Sequence, residues 1–244
     1  EGTFLAEYRL DPAAFDVLHE LLHSRLQSNE LQAARQSATS KAAPITVASR
    51  VGAALIMLGG GRRIEAMRTH GISQAQAYKN LRRFVRAVND CPQLAITYDS
   101  SLEECVRKAT GMYGRSSYGI FKYCTDCIDG ISLSVNAPSR TKKRNQRRFW
   151  SGSKKKFAIN MQGLCGFDET FTAVVCKHVG SANDADCFET CNLKEINESL
   201  PFPYHWNGDP AYTLSETMMV PFAGLNLHIH DPAREAFNFY HSQV

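Results

Sequence analysis

The 244-residue sequence has no run of about 18 apolar residues, and its first residues lack the basic and then apolar pattern of a signal peptide. Nothing in the sequence places the chain in or across a membrane, and we expect an intracellular protein. A strong excess of one charge is also absent, because 28 Lys and Arg stand against 24 Asp and Glu. Apolar residues make up 43% of the sequence, which is enough for a buried core and argues against disorder.

The sequence also lacks the two pairs of residues that a zinc site usually needs. Cys124 and Cys127 have CxxC spacing, but no second CxxC or HxxxH pair follows them, and Cys187 and Cys191 are spaced for one face of a helix. A chain of this size does not need disulfides, and its eight cysteines lie mostly in apolar segments. We therefore expect buried, reduced thiols, and a zinc site is the less favoured alternative.

The first part of the chain has the patterns of helices. A first amphipathic helix begins after Asp11, and Thr46 caps a second one. The polar and alanine-rich residues 28–43 between them predict a linker. One more helix begins near Leu102, so we expect a helical region over residues 1–118.

Within this region, residues 46–90 include the outline of a helix-turn-helix. Arg63–His70 predicts a short helix, Gly71 a left-handed turn, and Ser73 the cap of a longer helix. The outer face of the longer helix carries amides that can read base edges and cations that can hold phosphates: Gln74, Gln76, Lys79, Arg82, Arg83 and Arg86. We interpret this face as a surface for duplex DNA. The alternative is the solvated face of an ordinary helical bundle.

After residue 118 the chain changes to strand-like runs separated by turns. Four strands are predicted, with a helix between the third and the fourth: Tyr123–Val135, Phe157–Cys165, Phe171–His178 and Tyr204–Asp209. This order predicts a mixed α/β sheet in which the fourth strand runs parallel to an earlier one. We expect the sheet domain to occupy residues 119–244.

Between the first two strands, nine cations are concentrated in 17 residues. They are Arg140, Lys142, Lys143, Arg144, Arg147, Arg148, Lys154, Lys155 and Lys156, and Trp150 among them can stack on a base. The run predicts contacts to backbone phosphates and can double as a nuclear import signal. The alternative is a solvated loop that binds nothing.

Three aspartates stand at the ends of predicted elements or inside them. Asp129 interrupts the first strand among apolar residues, which predicts a buried acid that needs a metal ion or another partner. Asp209 ends the fourth strand, where sheets form crevices, and a simple turn aspartate is the alternative. Asp184 lies in the first turn of a helix, where the helix dipole favours a carboxylate, so its local pattern favours a structural role.

Five motifs, in this order, resemble those of the Harbinger-type transposases of the DDE superfamily. They are IDG at residues 128–130, SKKKFAINMQGLCGFDETFTAVV, GSANDADCF, NGDPAYTLSETMMVPF and AREAFNFYHSQ. The resemblance covers about residues 120–244 closely and the N-terminal helices more loosely. It implies an RNase H-like nuclease core, so the expected fold class is an α/β DDE nuclease domain preceded by an all-α helix-turn-helix region.

The resemblance also implies roles for the three aspartates. Asp129 and Asp209 match catalytic acids, and Asp184 matches an additional metal-associated acid, which overrules its local interpretation. Together they would hold two Mg²⁺ or Mn²⁺ ions, one activating water or a DNA 3′-hydroxyl and the other stabilising the leaving oxygen. The family's catalytic glutamate lies a few residues past the HSQ motif. Since the sequence stops at Val244, we expect the domain to be truncated before that glutamate.

The implied function is metal-dependent cleavage and strand transfer at transposon ends. The implied partners are double-stranded DNA of the transposon ends and target, a second copy of the chain on DNA, and a Myb-like DNA-binding protein. The implied location is the nucleus. The alternative is a domesticated and catalytically inactive derivative that binds DNA or protein.

Overall fold

The computed structural model describes residues 2–28, 44–116, 119, 121–139, 145–222 and 231–242. The chain divides into two compact units, Glu1–Ala95 and Ile96–Val244. Nearly all of the predicted linker and the predicted phosphate-binding residues Lys142, Lys143 and Arg144 fall outside the described residues. No helix within these ranges is long and apolar enough to cross a membrane.

The described part of the first unit consists of helices. They are α1 (Gly2–Tyr8), α2 (Pro12–Leu26), α3 (Val47–Leu58), α4 (Arg63–His70) and α5 (Gln74–Asn89), followed by a 3₁₀ turn at Pro92–Leu94. The predicted N-caps are confirmed: the side chains of Asp11, Thr46 and Ser73 each accept a hydrogen bond from the backbone N–H three residues later.

Helices α4 and α5 are joined by a short turn in which Gly71 has the left-handed φ of 60° that the sequence predicted. Ala66 of α4 and Ala77 of α5 are buried in one cluster with residues of α3. Phe84 and Ala87 of α5 are buried in a second cluster, against α2 and α3. One face of α5 is therefore fixed in the core, and the other face is left to solvent.

The second unit begins with helix α6 (Leu102–Arg115), which the sequence analysis placed in the N-terminal region. The elements that follow are β1 (Cys124–Ser134), a 3₁₀ turn (Gln146–Phe149), β2 (Trp150–Ser151), β3 (Lys156–Cys165), β4 (Phe171–Val179), α7 (Asp184–Glu189), α8 (Asn192–Glu198), β5 (His205–Gly208), β6 (Met218–Met219) and α9 (Pro232–His241). Helix α6 belongs with the sheet because Cys105 is buried in the core cluster that contains Trp206 of β5. The two compact units therefore divide at residues 95 and 96, not near residue 118.

The sheet has the strand order β4-β3-β1-β5-β6, and β2 pairs with the start of β3. β1 and β4 run antiparallel to β3, whereas β5 runs parallel to both β1 and β6. The four predicted strands lie within one residue of their predicted limits, and the predicted parallel pairing of the first and fourth is confirmed. The mixed α/β fold class, preceded by helices, is confirmed and is consistent with a DDE nuclease core.

Candidate active site where the pairing of β1 and β5 ends

Two of the predicted catalytic acids lie where the pairing of β1 with β5 ends. In the parallel pairing, Ile128 of β1 lies opposite Gly208 of β5. Asp129 and Asp209 are therefore the next residues of two adjacent strands. All four residues of β5 are buried, and Asp209 is the first exposed residue after them. The parallel pairing thus brings two carboxylates, 80 positions apart in the sequence, to one edge of the sheet.

The prediction that Asp129 is a buried acid is wrong, because Asp129 is exposed. β1 is buried over Cys124–Asp126 and at Ile128, while its second half is largely exposed. The Oδ1 atom of Asp129 accepts a hydrogen bond from the backbone N–H of Gly130 at 2.7 Å. Asp129 is therefore oriented by the local backbone and stays accessible to a ligand from solvent.

Asp184, the first residue of α7, lies beside the same edge. Its Oδ1 atom accepts hydrogen bonds from Nδ2 of Asn160 at 2.9 Å and from Nε2 of Gln162 at 3.0 Å. A Cβ atom placed on Gly130 would lie only 1.9 Å from this Oδ1. The carboxylate thus rests against the backbone next to Asp129, and only glycine at position 130 leaves room for it.

The three carboxylates are close enough to influence one another electrostatically. Burial raises the pKa of Asp209, and the charges of Asp129 and Asp184 raise it further, while a hydrogen bond from the backbone N–H of Ala211 at 2.9 Å acts in the opposite direction. The pKa of Tyr212 is raised by burial and by the same three charges, so its hydroxyl remains a donor. Ionised Asp209 is repelled by the charges of Asp129 and Asp184, which destabilises the fold. A divalent cation would relieve this repulsion.

The chemistry of these ligands suits a hard cation, because Mg²⁺ and Mn²⁺ prefer carboxylate oxygens. However, no group of three His, Cys, Asp or Glu side chains in the described ranges is arranged to hold a metal ion as it stands. The amide groups of Asn160 and Gln162 already donate to Oδ1 of Asp184. The donor set fits a divalent ion, but a site with three carboxylate ligands needs Asp184 to present its other oxygen.

A different acid of β1 is the buried one. Asp126 has no exposed surface, and Nζ of Lys108 lies 3.3 Å from both of its carboxyl oxygens. The hydroxyls of Tyr98 and Thr172 donate to the same carboxylate at 2.8 and 2.7 Å. Trp206 extends this network, because its Nε1 donates to the hydroxyl of Tyr98 at 3.0 Å. A buried charge thus has a cation and two hydroxyl donors as partners, which is how proteins tolerate one.

Sequence reasoning missed this pair, although the chain contains a signal for it. Lys108 lies on the same helix face as Cys105, Ala109 and Met112, and all four side chains are buried. A lysine on an apolar stripe requires a buried acid somewhere in the fold. The sequence offered several aspartates, and only the tertiary structure selects Asp126.

The predicted DNA-binding residues of α5 lie mainly on its exposed face. Gln74, Lys79, Arg82, Arg83 and Arg86 are exposed, whereas Gln76 is half-buried and its Nε2 donates to Oδ1 of Asn80 at 2.8 Å. A concave surface on this helix is lined by Ala75, Tyr78, Lys79, Arg82, Arg83 and Arg86. Since these lining residues include four cations and no acid, the surface is suited to an anionic partner.

The predicted phosphate-binding segment is described from residue 145 onward. Arg147 and Arg148 are exposed in the 3₁₀ turn, and Lys154 and Lys155 are exposed in the turn between β2 and β3. Lys156 is half-buried and donates to the backbone carbonyl of Ser132 at 3.1 Å. Trp150 is 43% exposed although its ring packs edge-on against Phe157, so part of its ring is open for stacking.

Residues 128–244 match the family model described as DDE superfamily endonuclease. The matched segment begins one residue before Asp129 and includes Asp184 and Asp209. Neither the curated proteins nor the solved structures contain a match to the chain. Most of the sheet therefore lies in a segment similar to DDE superfamily endonucleases. The edge that carries Asp129, Asp184 and Asp209, called the acid edge below, lies entirely within it. This similarity indicates transposase or nuclease activity on DNA, a chemistry that generally uses divalent metal ions.

Proposed function

We propose that this chain is a metal-dependent DNA endonuclease of the Harbinger transposase type that cleaves DNA at transposon ends and joins it to a target. The observation that supports this most directly is the placement of Asp129 and Asp209 at the same edge of two paired parallel strands, with Asp184 against Gly130 beside them. This constellation lies inside the segment that is similar to DDE superfamily endonucleases.

In this proposal, Asp129, Asp184 and Asp209 hold Mg²⁺ or Mn²⁺, which would supply charge stabilisation to the phosphodiester and a nucleophilic oxygen. The backbone N–H groups of Gly130 and Ala211 each hold Oδ1 of one acid. Among the described residues, none donates to the other oxygen of Asp129 or of Asp209, so both oxygens can serve as ligands. Asp129 and Asp209 are the catalytic acids, and Asp184 is the supporting ligand.

The cations supply the affinity for DNA in this proposal. Duplex DNA contacts the exposed face of α5, where Gln74 can read base edges and Lys79, Arg82, Arg83 and Arg86 hold phosphates. The amide of Gln76 is already used by Asn80, so Gln76 is the weaker candidate for base reading. Arg147, Arg148, Lys154, Lys155 and Lys156 contact phosphates without reading sequence, and Trp150 supplies a stacking surface.

Titration of the protein with Mg²⁺ or Mn²⁺ tests the metal site. We expect a saturable rise in the melting temperature of the second unit, since an ion that binds only the folded state stabilises it by mass action. Na⁺ and K⁺ at equal ionic strength are the controls, because a general salt effect would be the same for monovalent and divalent ions. No ion-specific stabilisation up to millimolar concentrations would contradict the proposed metal-dependent function.

One observation favours a second candidate, a catalytically inactive derivative that kept DNA binding. The described residues contain no group of three ligand side chains already arranged for a metal. Such a derivative would bind duplex DNA through its cations with equal affinity in the presence of Mg²⁺ and of EDTA. It would also show no ion-specific stabilisation, so the same titration separates the two candidates.

A pair of arginines on α5 provides the test of DNA binding. We expect Arg82→Ala and Arg83→Ala each to weaken duplex binding and to lower the slope of log K against log salt by about one, because each removes one phosphate contact. Fluorescence anisotropy with labelled duplexes at several salt concentrations measures both effects.

Arg25→Ala is the matched control for these two variants. Arg25 is an exposed arginine of α2, in the same unit, and its side chain contacts the backbone carbonyl of Leu21. The control removes the same charge from a different helix and should leave the salt slope unchanged. Equal slopes for wild type and all three variants would show that the α5 face does not bind DNA.

A further inference from the structure

Three polar side chains are buried directly beside the acid edge. Gln162 is 0% exposed, Tyr212 4% and Asn160 8%. Asn160 and Gln162 are two residues apart in β3, so their side chains lie on the same face of the strand. The backbone of Gln162 pairs with Gly130 of β1. Polar groups at such depth destabilise the fold unless each has a hydrogen-bond partner. Their partners are one another and Asp184.

The hydrogen bonds among these side chains all run in one direction. The hydroxyl of Tyr212 donates to Oε1 of Gln162 at 2.5 Å. Nε2 of Gln162 then donates to Oδ1 of Asn160 at 2.9 Å and to Oδ1 of Asp184 at 3.0 Å. Nδ2 of Asn160 donates to the same oxygen of Asp184 at 2.9 Å. Nδ2 of Asn160 also donates to the backbone carbonyl of Ala182 at 3.4 Å. The side-chain hydrogen bonds thus lead from Tyr212 through Gln162 and Asn160 to Asp184.

The geometry points to Tyr212 and Gln162 as positioning residues for Asp184: they hold its Oδ1 atom and leave Oδ2 to bind a divalent cation. This inference rests on the proposed function, since it concerns the metal site of that function. Because the carboxylate of Asp184 can only accept, the Nε2 atom of Gln162 faces it and the Oε1 atom points to Tyr212. The Tyr212 hydroxyl supplies the donor that this buried oxygen needs and so holds the amide in place.

Loss of the Tyr212 hydroxyl would leave the buried Oε1 atom of Gln162 without its donor. The amide would then shift to find another partner, and its Nε2 atom would no longer be held against Asp184. The carboxylate would lose a donor and move from its place against Gly130. Partners that orient a metal ligand in this way typically contribute 10- to 100-fold to metal affinity.

The test is calorimetric titration of the folded protein with MnCl₂. We expect Tyr212→Phe, which removes only the hydroxyl, to weaken Mn²⁺ binding by about 10-fold or more. Gln162→Met should weaken it at least as much, because this uncharged side chain of similar length cannot donate to Asp184. This second variant also tests the inference if one of the two folds poorly.

Tyr98→Phe is the matched control. Tyr98 also places a buried hydroxyl against a carboxylate, but that carboxylate is Asp126 in the separate network with Lys108. Loss of the Tyr98 hydroxyl should lower the melting temperature and leave Mn²⁺ affinity unchanged. Wild-type affinity for Mn²⁺ in Tyr212→Phe and Gln162→Met would overturn the positioning role alone. Absence of Mn²⁺ binding by the wild-type protein would overturn both this role and the proposed function.

Discussion

Replacing Asp129 by asparagine is expected to abolish stabilisation by Mg²⁺ or Mn²⁺ and any ion-dependent cleavage of DNA, while DNA binding persists. The substitution removes a carboxylate from an edge where Asp184 and Asp209 also lie. For the wild-type protein, an ion at 100 times its dissociation constant adds about 2.7 kcal/mol to the free energy of unfolding. The variant should show none of this gain, measured by thermal unfolding with and without MnCl₂.

In the absence of divalent ions, the same substitution should not destabilise the protein. The charge of Asp129 helps to raise the pKa of Asp209. A raised pKa in the folded state means that stability is lost as pH rises through the folded pKa, so ionised Asp209 is unfavourable at neutral pH. Removing Asp129 relieves part of this repulsion. In EDTA we therefore expect Asp129→Asn to be at least as stable as wild type.

Asp168→Asn is the control for Asp129→Asn, because Asp168 is an exposed acid in the turn between β3 and β4. Asp168→Asn makes the same chemical change away from the acid edge. Its stabilisation by Mg²⁺ or Mn²⁺ should equal that of wild type. If Asp129→Asn retained the full ion-dependent stabilisation, Asp129 would not be a metal ligand.

Lys108→Met is expected to destabilise the second unit by about 3–5 kcal/mol, because it leaves the charge of Asp126 buried without a cation. Asp126→Asn should have an effect of similar size, since it leaves the ammonium group of Lys108 buried. Replacing both residues by apolar side chains of similar volume should cost much less than the sum of the single changes. This non-additivity would show that the two groups act as a pair.

Urea unfolding followed by tryptophan fluorescence measures these changes in the intact chain. The sequence contains two tryptophans, Trp150 and Trp206, and both lie in the second unit. Lys194→Met is the matched control, because Lys194 forms ion pairs with Glu189 and Glu198 at the surface. Its loss should change the free energy of unfolding by at most about 1 kcal/mol. A comparably small change for Lys108→Met would mean that the buried pair adds nothing to stability.

Much of the fold was predictable because its signals are local. Asp11, Thr46 and Ser73 cap helices through their own side chains, and Gly71 takes a left-handed turn that few other residues adopt. The four main strands were predicted within one residue because β-branched and aromatic runs are bounded by turn residues. The parallel pairing of β1 with β5 followed from the helices between them, since a crossover returns the chain in the same direction.

The limits of the compact units were less predictable, because they depend on which surface a helix covers. Residues 102–115 have the pattern of an amphipathic helix, and that pattern is the same in either unit. The predicted N-terminal region therefore included this helix. In the structure, Cys105 and Lys108 face the sheet of the second unit, the former in its apolar core and the latter against Asp126.

The sequence by itself determined the type and limits of most elements, and it named one acid inside the first predicted strand and one at the end of the fourth. These properties depend on neighbours within one turn or one strand. Only the tertiary structure decided that Asp126 is the buried acid while Asp129 is exposed, and that Asp184 lies against Gly130 under the amides of Asn160 and Gln162. Burial and electrostatic coupling depend on distances between residues far apart in the chain, which strand register and helix packing set.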